Sequence, residues 1–497
     1  MRILVTDIPF IYEKDFYQKY DDSILDKVKS VLVEAGYNVE ICHAHNEGIS
    51  KAAFLKMFEN ACYNLVFVHI FFYRQQFFQE YSQTLRELFA ALSKTNPHIH
   101  FSGFGRPLLL AANLDDYKQL GLHSFCAGEI TSATFSIIER LSSGESPVGL
   151  VMGNTEESPQ IFSYFTEADH GLNINTSTGC AGRCSFCTER LSQGKWQPFN
   201  TAEVIRTIQL GIQKYHPNWI KFNDLNFLGY RTTGDNRAYL IKFAELYKEV
   251  CGNKIPIKLS TRVDSVDEDI LDLLSQIGVT VIFYGIESGV QRILDSFSKD
   301  ITPEKSLQIL EKTYHAGIMP QMGFIFFEPF MTLSEIQTNI CFLRESGKFT
   351  YLSLQLIDRL RVFKNTAYAK MNCQKPEFHS EIFCYSYKFK CGEVEQYYSV
   401  WQAVFKKCKN MDMYIRSQMD LLLLRGSFRQ DSNLLEIHKK IMTRYNSLII
   451  NTLEKIFYGE PVSSIVDSYS EKTYEILVML RLALACIKDL DCEGGGI

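Results

Sequence analysis

Cys180-Ala-Gly-Arg-Cys184-Ser-Phe-Cys187 places three cysteines behind Gly171-Leu-Asn-Ile-Asn-Thr-Ser-Thr178, a stretch that reads as a short strand. Three and then two residues separate the sulfurs, so a loop that wraps can bring the thiolates onto one metal centre. A tetrahedral zinc ion or a fully ligated iron–sulfur cluster needs a fourth ligand, and no fourth cysteine lies nearby. A [4Fe–4S] cluster on three thiolates leaves one iron open to a small ligand. Gly179 and Gly182 permit the tight backbone such a loop requires. Arg183 adds a positive charge that favours thiolate over thiol. A structural metal, or thiols buried simply as apolar groups, stands beside the cluster as an alternative.

Downstream, apolar runs and helical periodicities alternate in long units. Strands are expected at 171–178, 219–223, 255–263, 279–286, 319–327 and 350–357, with helices at 201–215, 236–250, 268–277, within 290–316 and at 333–345. Six such units make a partial (β/α)6, TIM-like barrel, whose chemistry gathers at the carboxyl ends of the strands. The informative residues fall at those ends. They are Asp224 in Phe222-Asn-Asp-Leu-Asn-Phe227, Arg262 in Ser260-Thr-Arg-Val-Asp264, Glu287 in Tyr284-Gly-Ile-Glu-Ser-Gly289, and Lys299. Each has a plainer role available: a loop cap for Asp224, surface charge for Arg262, an ordinary salt bridge for Lys299.

Upstream, residues 1–145 alternate shorter units. Strands are expected at 2–6, 37–42, 64–72, 98–102 and 123–126, with helices at 23–35, 52–62, 80–93 and 131–141. Five strands in this rhythm indicate a flavodoxin-like, Rossmann-like α/β domain whose ligand edge is the carboxyl ends of its strands. The loops at that edge are 7–12, 71–76, 103–106 and 128–131. Residues 146–170 lack strong periodicity and read as a linker. Residues 171–365 are the barrel. Residues 366–497 read as a mainly α-helical C-terminal region, with helices at 395–406, 411–424, 433–446 and 471–488, that covers the barrel and selects substrate.

The CxxxCxxC spacing after a first strand, with Phe186 before the last cysteine, resembles the radical S-adenosylmethionine (SAM) superfamily. The resemblance implies a [4Fe–4S] cluster on Cys180, Cys184 and Cys187, SAM chelated to the open iron, and reductive cleavage of SAM to a 5′-deoxyadenosyl radical. It also implies cofactor-binding roles: Phe186 on the adenine side, Asp224 near the SAM amino group, Arg262 and Lys299 toward the SAM carboxylate or substrate, and Glu287 on the ribose hydroxyls. Gly285 and Gly289 would let the backbone approach. A flavodoxin-like domain ahead of this core resembles the cobalamin-binding class, which implies cobalamin as a third cofactor and methyl transfer to an unactivated centre of a metabolite or peptide.

Two departures stand out. Many cobalamin domains carry D-x-H-x-x-G after the first strand, whereas residues 7–22 contain no histidine; His43-Ala-His45-Asn-Glu-Gly48 matches only the tail and follows the second strand. Where the class reads G-x-P-G-E-T, this chain has Gly323-Phe-Ile-Phe-Phe-Glu-Pro-Phe330. Four readings therefore remain: a cobalamin-dependent methyltransferase, a radical SAM enzyme with a vestigial first domain, a cobalamin-dependent enzyme that does not methylate, and a non-catalytic iron–sulfur electron-transfer protein.

Composition narrows the partners. With 52 basic and 57 acidic residues in 497, nothing marks a nucleic-acid binder or an anionic-membrane binder. No apolar run is long enough to span a bilayer. Fourteen cysteines without an export signal suit a reducing cytoplasm. The expected partners are a small-molecule or peptide substrate and an electron donor such as flavodoxin or ferredoxin. Cys373, Cys384, Cys391 and Cys408 invite an auxiliary cluster, but they match no compact ligand motif and read more readily as ordinary buried thiols.

Overall fold

The structure is a computed structural model that describes residues 1–9, 23–45, 47–59, 62–70, 78–105, 120–127, 130–153, 161, 163–166, 170–188, 195–229, 234–252, 255–380, 384–424 and 432–493. The chain divides into two compact units. One comprises Met1–Tyr164, Ser185–Lys195 and Arg361–Ser386; the other comprises Phe165–Cys184, Trp196–Leu360 and Tyr387–Ile497.

The first unit is built on β1 (Arg2–Thr6), β2 (Asn38–Cys42), β3 (Leu65–His69), β4 (His100–Phe104), β5 (Ser124–Ala127) and β6 (Gly149–Met152). They form one sheet in the order β2-β1-β3-β4-β5-β6, parallel at every pairing. The first five follow the flavodoxin-like order, with the strand reversal between β1 and β3. Leu65-Val-Phe-Val-His69 is buried along its whole length, as a central strand covered on both faces must be. One face packs Ile3, Val5, Phe67 and Phe104 against Leu25, Ala133 and Ile137. On the other, Phe58, Phe89 and Phe101 meet at ring separations of 5.2 and 6.1 Å. β6 falls in the stretch expected to be a linker. Four residues with a single buried side chain, Val151, give too short a pattern to stand out in the sequence. The same unit holds all but the last residue, Tyr387, of a small sheet of β15 (Val362–Phe363), β17 (Cys384–Tyr387) and β16 (Phe378–Ser380), in that order.

The second unit holds the last two residues of β7 (Ser163–Thr166), with β8 (Gly171–Ile174), β9 (Ser177–Thr178), β10 (Gln197–Pro198), β11 (Trp219–Phe222), β12 (Ile257–Thr261), β13 (Val279–Glu287) and β14 (Met319–Phe324). Its main sheet runs β14-β13-β12-β11-β8-β7, and β8 and β11 to β14 pair in parallel. Helices Thr201–Tyr215, Gly234–Cys251, Glu268–Gln276, Pro303–His315 and Leu333–Ser346 connect them. This is the partial barrel expected, with two differences at its edges. β7 again comes from the presumed linker. At the other edge, 350–357 contains only a short 3-10 turn, Leu354–Leu356; an isolated parallel bridge, Phe327 to Arg359, forms just beyond both this stretch and β14.

The reason lies in where the backbone groups of 350–357 find partners. The Leu352 N–H donates to Asn446 Oδ1 at 2.7 Å, and the Leu354 N–H to Asp412 Oδ1 at 2.7 Å. Asn446 Nδ2 donates in turn to the carbonyls of Gly347 and Thr350 at 2.7 and 2.8 Å. Side chains of the C-terminal helices thus replace a neighbouring strand. Asn446→Ala strands two buried backbone groups, each worth about 1–3 kcal/mol when left unpaired, and a third that is half-buried. A loss of several kcal/mol in urea denaturation is expected; a loss below about 1 kcal/mol contradicts the assignment.

The C-terminal region is helical: Gly392–Leu424, Ser432–Phe457 and Val462–Glu493. The first runs unbroken through the expected gap at 407–410, where Lys-Cys-Lys-Asn offers neither glycine nor proline to stop it. Among the described residues no helix is long and apolar enough to cross a membrane.

Candidate functional site

The barrel's carboxyl end is organised around β8. This strand is fully buried, and Gly171 is required there: a Cβ would lie 2.1 Å from the Trp219 ring on β11. The chain then passes Thr176 and Ser177, which Asp224 seizes. The Asp224 carboxylate accepts from the Thr176 N–H at 3.1 Å, the Thr176 hydroxyl at 3.2 Å and the Ser177 hydroxyl at 2.5 Å. Asp224 therefore fixes the approach to the cysteine loop. Burial pushes its carboxyl up to about 6, opposed by these hydrogen bonds. The folded protein holds this proton more tightly than the unfolded chain, so the raised pKa contributes stability below the usual value of 3.8 that is lost as pH rises to about 6. Relative to Asp224→Asn, the wild type is expected to lose about 2–3 kcal/mol between pH 4 and pH 7. Urea titrations of the pair at both pH values check this, and a constant difference refutes it.

The loop turns at Gly179, whose φ of +72° suits glycine. The Gly182 N–H donates to Cys180 Sγ at 3.3 Å. A Cβ on Gly182 would stand 3.5 and 3.6 Å from the sulfurs of Cys180 and Cys184, and 2.9 Å from an Arg262 nitrogen. Cys180, Cys184, Phe186 and Cys187 are all half-buried. Burial pushes the Cys180 thiol up, while the Gly182 N–H and the charges of Arg262 and Lys299 pull it down. Among the described residues no three His, Cys, Asp or Glu side chains gather at the spacing of a single-ion site. A cube of iron and sulfide, with each thiolate on a different iron, spreads its ligands wider than one ion does. Soft sulfur donors flanked by the Gly182 N–H and a guanidinium fit an anionic centre of that kind.

Arg262, just beyond β12, reaches into this loop. Its Nε and one terminal nitrogen grip Asp264 at 2.8 and 2.9 Å, and the other terminal nitrogen lies 3.5 Å from Cys184 Sγ. The Lys299 carbonyl accepts a further bond at 2.6 Å. Burial works against the Arg262 charge, but Asp264 outweighs it and raises the pKa.

Glu287 ends β13 at a break in register with β14, between Gly285 and Glu287. Its φ of +76° is unusual for a side chain with a Cβ. The irregularity aims the carboxylate back over Gly285, where a Cβ would lie 2.6 Å from Glu287 Oε1 and 3.2 Å from Lys299 Nζ. Lys299, 3% exposed, pairs with Glu287 at 3.3 Å. Gly289 does something different from what its motif implies. A Cβ there would meet Phe342 at 2.3 Å, and its N–H donates to Asn339 Oδ1 at 2.9 Å, so packing against a helix accounts for it.

The altered loop after β14 is locked from within. Glu328, 1% exposed, accepts from the Phe330 N–H at 3.0 Å and from Arg292 at 3.2 Å. Arg292 also holds Glu335. Asp264, Asn339 and Arg292 carry much of this geometry, yet the sequence drew no attention to them. Asp264 was discoverable, standing two residues from Arg262; Asn339 and Arg292 sit in ordinary helical pattern and gave no signal.

At the first unit's carboxyl edge, Asp7 accepts from the His45 N–H at 3.2 Å, so His45 is part of a buried loop contact. Gly105 (φ +138°) lies so close to β3 that a Cβ would sit 2.3 Å from the Ile70 carbonyl oxygen. The expected ligand loop at 71–76 and residues 10–12 of the first loop, with Arg106, Gly128 and Glu129, lie outside the described residues. Of the later cysteines, Cys384 and Cys408 are buried, and burial pushes Cys373 and Cys408 up to about 12.

Residues 174–340 match the family model described as the Radical SAM superfamily. The barrel is a radical SAM domain. The matched span contains Cys180, Cys184, Cys187, Asp224, Arg262, Glu287 and Lys299. Beyond the radical SAM domain, the fold of the chain resembles the solved structure of the cobalamin-dependent S-adenosylmethionine radical enzyme OxsB with aqua-cobalamin and S-adenosylmethionine bound. That match has a TM-score of 0.68 at 15% identity and covers 99% of this chain and 80% of that one. The radical S-adenosylmethionine methyltransferase TsrM from Kitasatospora setae gives a TM-score of 0.61 at 15% identity, covering 77% of this chain and 79% of that one. An uncharacterized methyltransferase of Pyrococcus horikoshii is 29% identical over 35% of this chain and 36% of its own length, so this chain spans about a third of that relative.

Proposed function

We propose that this chain is a cobalamin-dependent radical SAM methyltransferase acting on a small molecule or peptide. The observation that carries the reading is the Cys180–Cys184–Cys187 loop at the carboxyl end of a radical SAM barrel, backed by the Arg262 guanidinium and faced by the buried Glu287–Lys299 pair. When bound, a [4Fe–4S] cluster supplies the electron that splits SAM, and a corrin supplies a relay for the methyl group.

The chain's own residues hold and orient. Cys180, Cys184 and Cys187 are the thiolate ligands. Glu287, aimed by its positive φ and steadied by Lys299, accepts the ribose hydroxyls of SAM. Phe186 lines the adenine side. Asp224 acts mainly as the clamp on Thr176 and Ser177 and faces the SAM ammonium with any lone pair it has left. The C-terminal helices cover the barrel edge and exclude water from the radical chemistry. An electron donor of the flavodoxin or ferredoxin type completes the set, in a reducing cytoplasm.

Cobalamin belongs at the carboxyl edge of the first unit's sheet. Its support is the β2-β1-β3-β4-β5 strand order and the likeness of fold to OxsB, an enzyme described with aqua-cobalamin bound. Residues 7–22 contain no histidine, so the first loop would offer no imidazole to a corrin held there.

The same absence favours one second reading, a radical SAM enzyme with no corrin. Anaerobic protein reconstituted with iron, sulfide and hydroxocobalamin, then desalted, separates the two. Retained corrin absorption, with S-adenosylhomocysteine formed on adding SAM, reductant and substrate, is the expected result. No retained corrin, with 5′-deoxyadenosine as the sole SAM product, supports the second.

A further inference from the structure

The family resemblance turns Arg262 toward the SAM carboxylate or substrate, but most of its donors are already committed. A guanidinium has five N–H groups. Nε donates to Asp264 Oδ1 at 2.8 Å, and one terminal nitrogen donates to Asp264 Oδ2 at 2.9 Å and to the Lys299 carbonyl at 2.6 Å. The other terminal nitrogen points one N–H at Cys184 Sγ, 3.5 Å away. A single N–H is left, and the fork that grips a carboxylate needs two in parallel.

Three further features fix the group in this attitude. The Arg262 and Asp264 side chains are 13% and 12% exposed, so the pair is shielded from water and from competing partners. The Lys299 backbone, whose side chain serves Glu287, supplies the third anchor. Gly182 supplies the clearance: any Cβ there would stand 2.9 Å from the same nitrogen that faces Cys184.

We infer that Arg262 is a positioning residue for the cysteine loop, donating a hydrogen bond to Cys184 that sets the reduction potential of the centre held there. A donor and a positive charge at a thiolate stabilise the more negative, reduced form and so raise the potential. Asp264 orients the guanidinium, and Gly182 gives it room. This inference rests on the reading that Cys180, Cys184 and Cys187 hold a [4Fe–4S] cluster, and its test is separable from that reading.

The experiment is a redox titration, followed by electron paramagnetic resonance, of full-length anaerobically reconstituted protein, paired with direct measurement of SAM binding. Arg262→Gln is expected to load iron as the wild type does. Its one-electron reduction equilibrium should shift about tenfold toward the oxidised form, a midpoint about 59 mV more negative, with SAM affinity unchanged. Gly182→Ala keeps the charge but displaces the guanidinium, and should shift the midpoint in the same direction by less. Where Arg262→Gln fails to load iron, Arg262→Lys and Gly182→Ala give the same readout. An unchanged midpoint in these variants, with SAM affinity reduced about tenfold or more, overturns the inference and makes Arg262 a SAM clamp. Wild-type protein that takes up no iron instead overturns the reading of the cysteines.

Discussion

Protein carrying alanine at Cys180, Cys184 and Cys187 together is expected to take up no iron above background, and to split no SAM in the presence of a strong reductant. The effect should be all or none, because among the described residues no group of three or more His, Cys, Asp or Glu side chains offers iron another site. None of the three cysteines is a core residue. Each is half-buried in an irregular loop, so truncation removes ligands without opening a cavity. The variant should therefore keep its circular dichroism and its denaturation midpoint. Cys408 provides the contrast. It is fully buried in the C-terminal helices, so Cys408→Ala should load iron normally while losing about 1–2 kcal/mol of stability. If the triple variant retains iron and SAM cleavage at the wild-type level, the thiolates are not the ligands and the proposed function fails with them.

Glu287→Gln is expected to produce the largest stability loss among single substitutions at the barrel's carboxyl end. The substitution leaves the Lys299 ammonium, 3% exposed and 3.3 Å away, without its counter-charge. Stranding one member of a buried pair costs about 3–5 kcal/mol. Removing both charges, with Glu287→Gln and Lys299→Met together, should recover a large part of that loss, because the unmatched ammonium is gone. Guanidinium denaturation of the wild type, both single variants and the double variant gives the coupling energy. Coupling below about 0.5 kcal/mol means that the two side chains are not a working pair. The proposed role in SAM binding predicts a different pattern in affinity. The double variant should bind SAM as weakly as Glu287→Gln even while its stability returns.

Much of this was legible in the sequence because it is written in short-range chemistry. A CxxxCxxC spacing, an Asp or Arg at a strand end, and the Tyr284–Gly289 segment are all local patterns, and local patterns survive translation into structure. The central strands were equally legible, since Leu65–His69 is apolar at almost every position. What escaped was decided by partners distant in the chain. β6 and β7 are four residues long and acquire strand character only by adding to sheets already formed. The stretch 350–357 looked like a sixth barrel strand, but Asn446 and Asp412 claim its backbone from far along the sequence. Gly289 looked like room for a ligand, whereas Phe342 occupies the space. The donors of Arg262 could be counted only once Asp264, Lys299 and Cys184 were seen around it.

The dependence of residues 350–357 on Asn446 also bears on how the protein is made. Ninety-four residues separate Leu352 from Asn446, which at about 5–20 residues per second is a delay of roughly 5–20 s on the ribosome. Through that interval the sheet edge at β14 has been synthesised while its cover has not. Nascent chains stalled between the two positions should be the form most reliant on chaperones, and most readily lost to aggregation when translation slows.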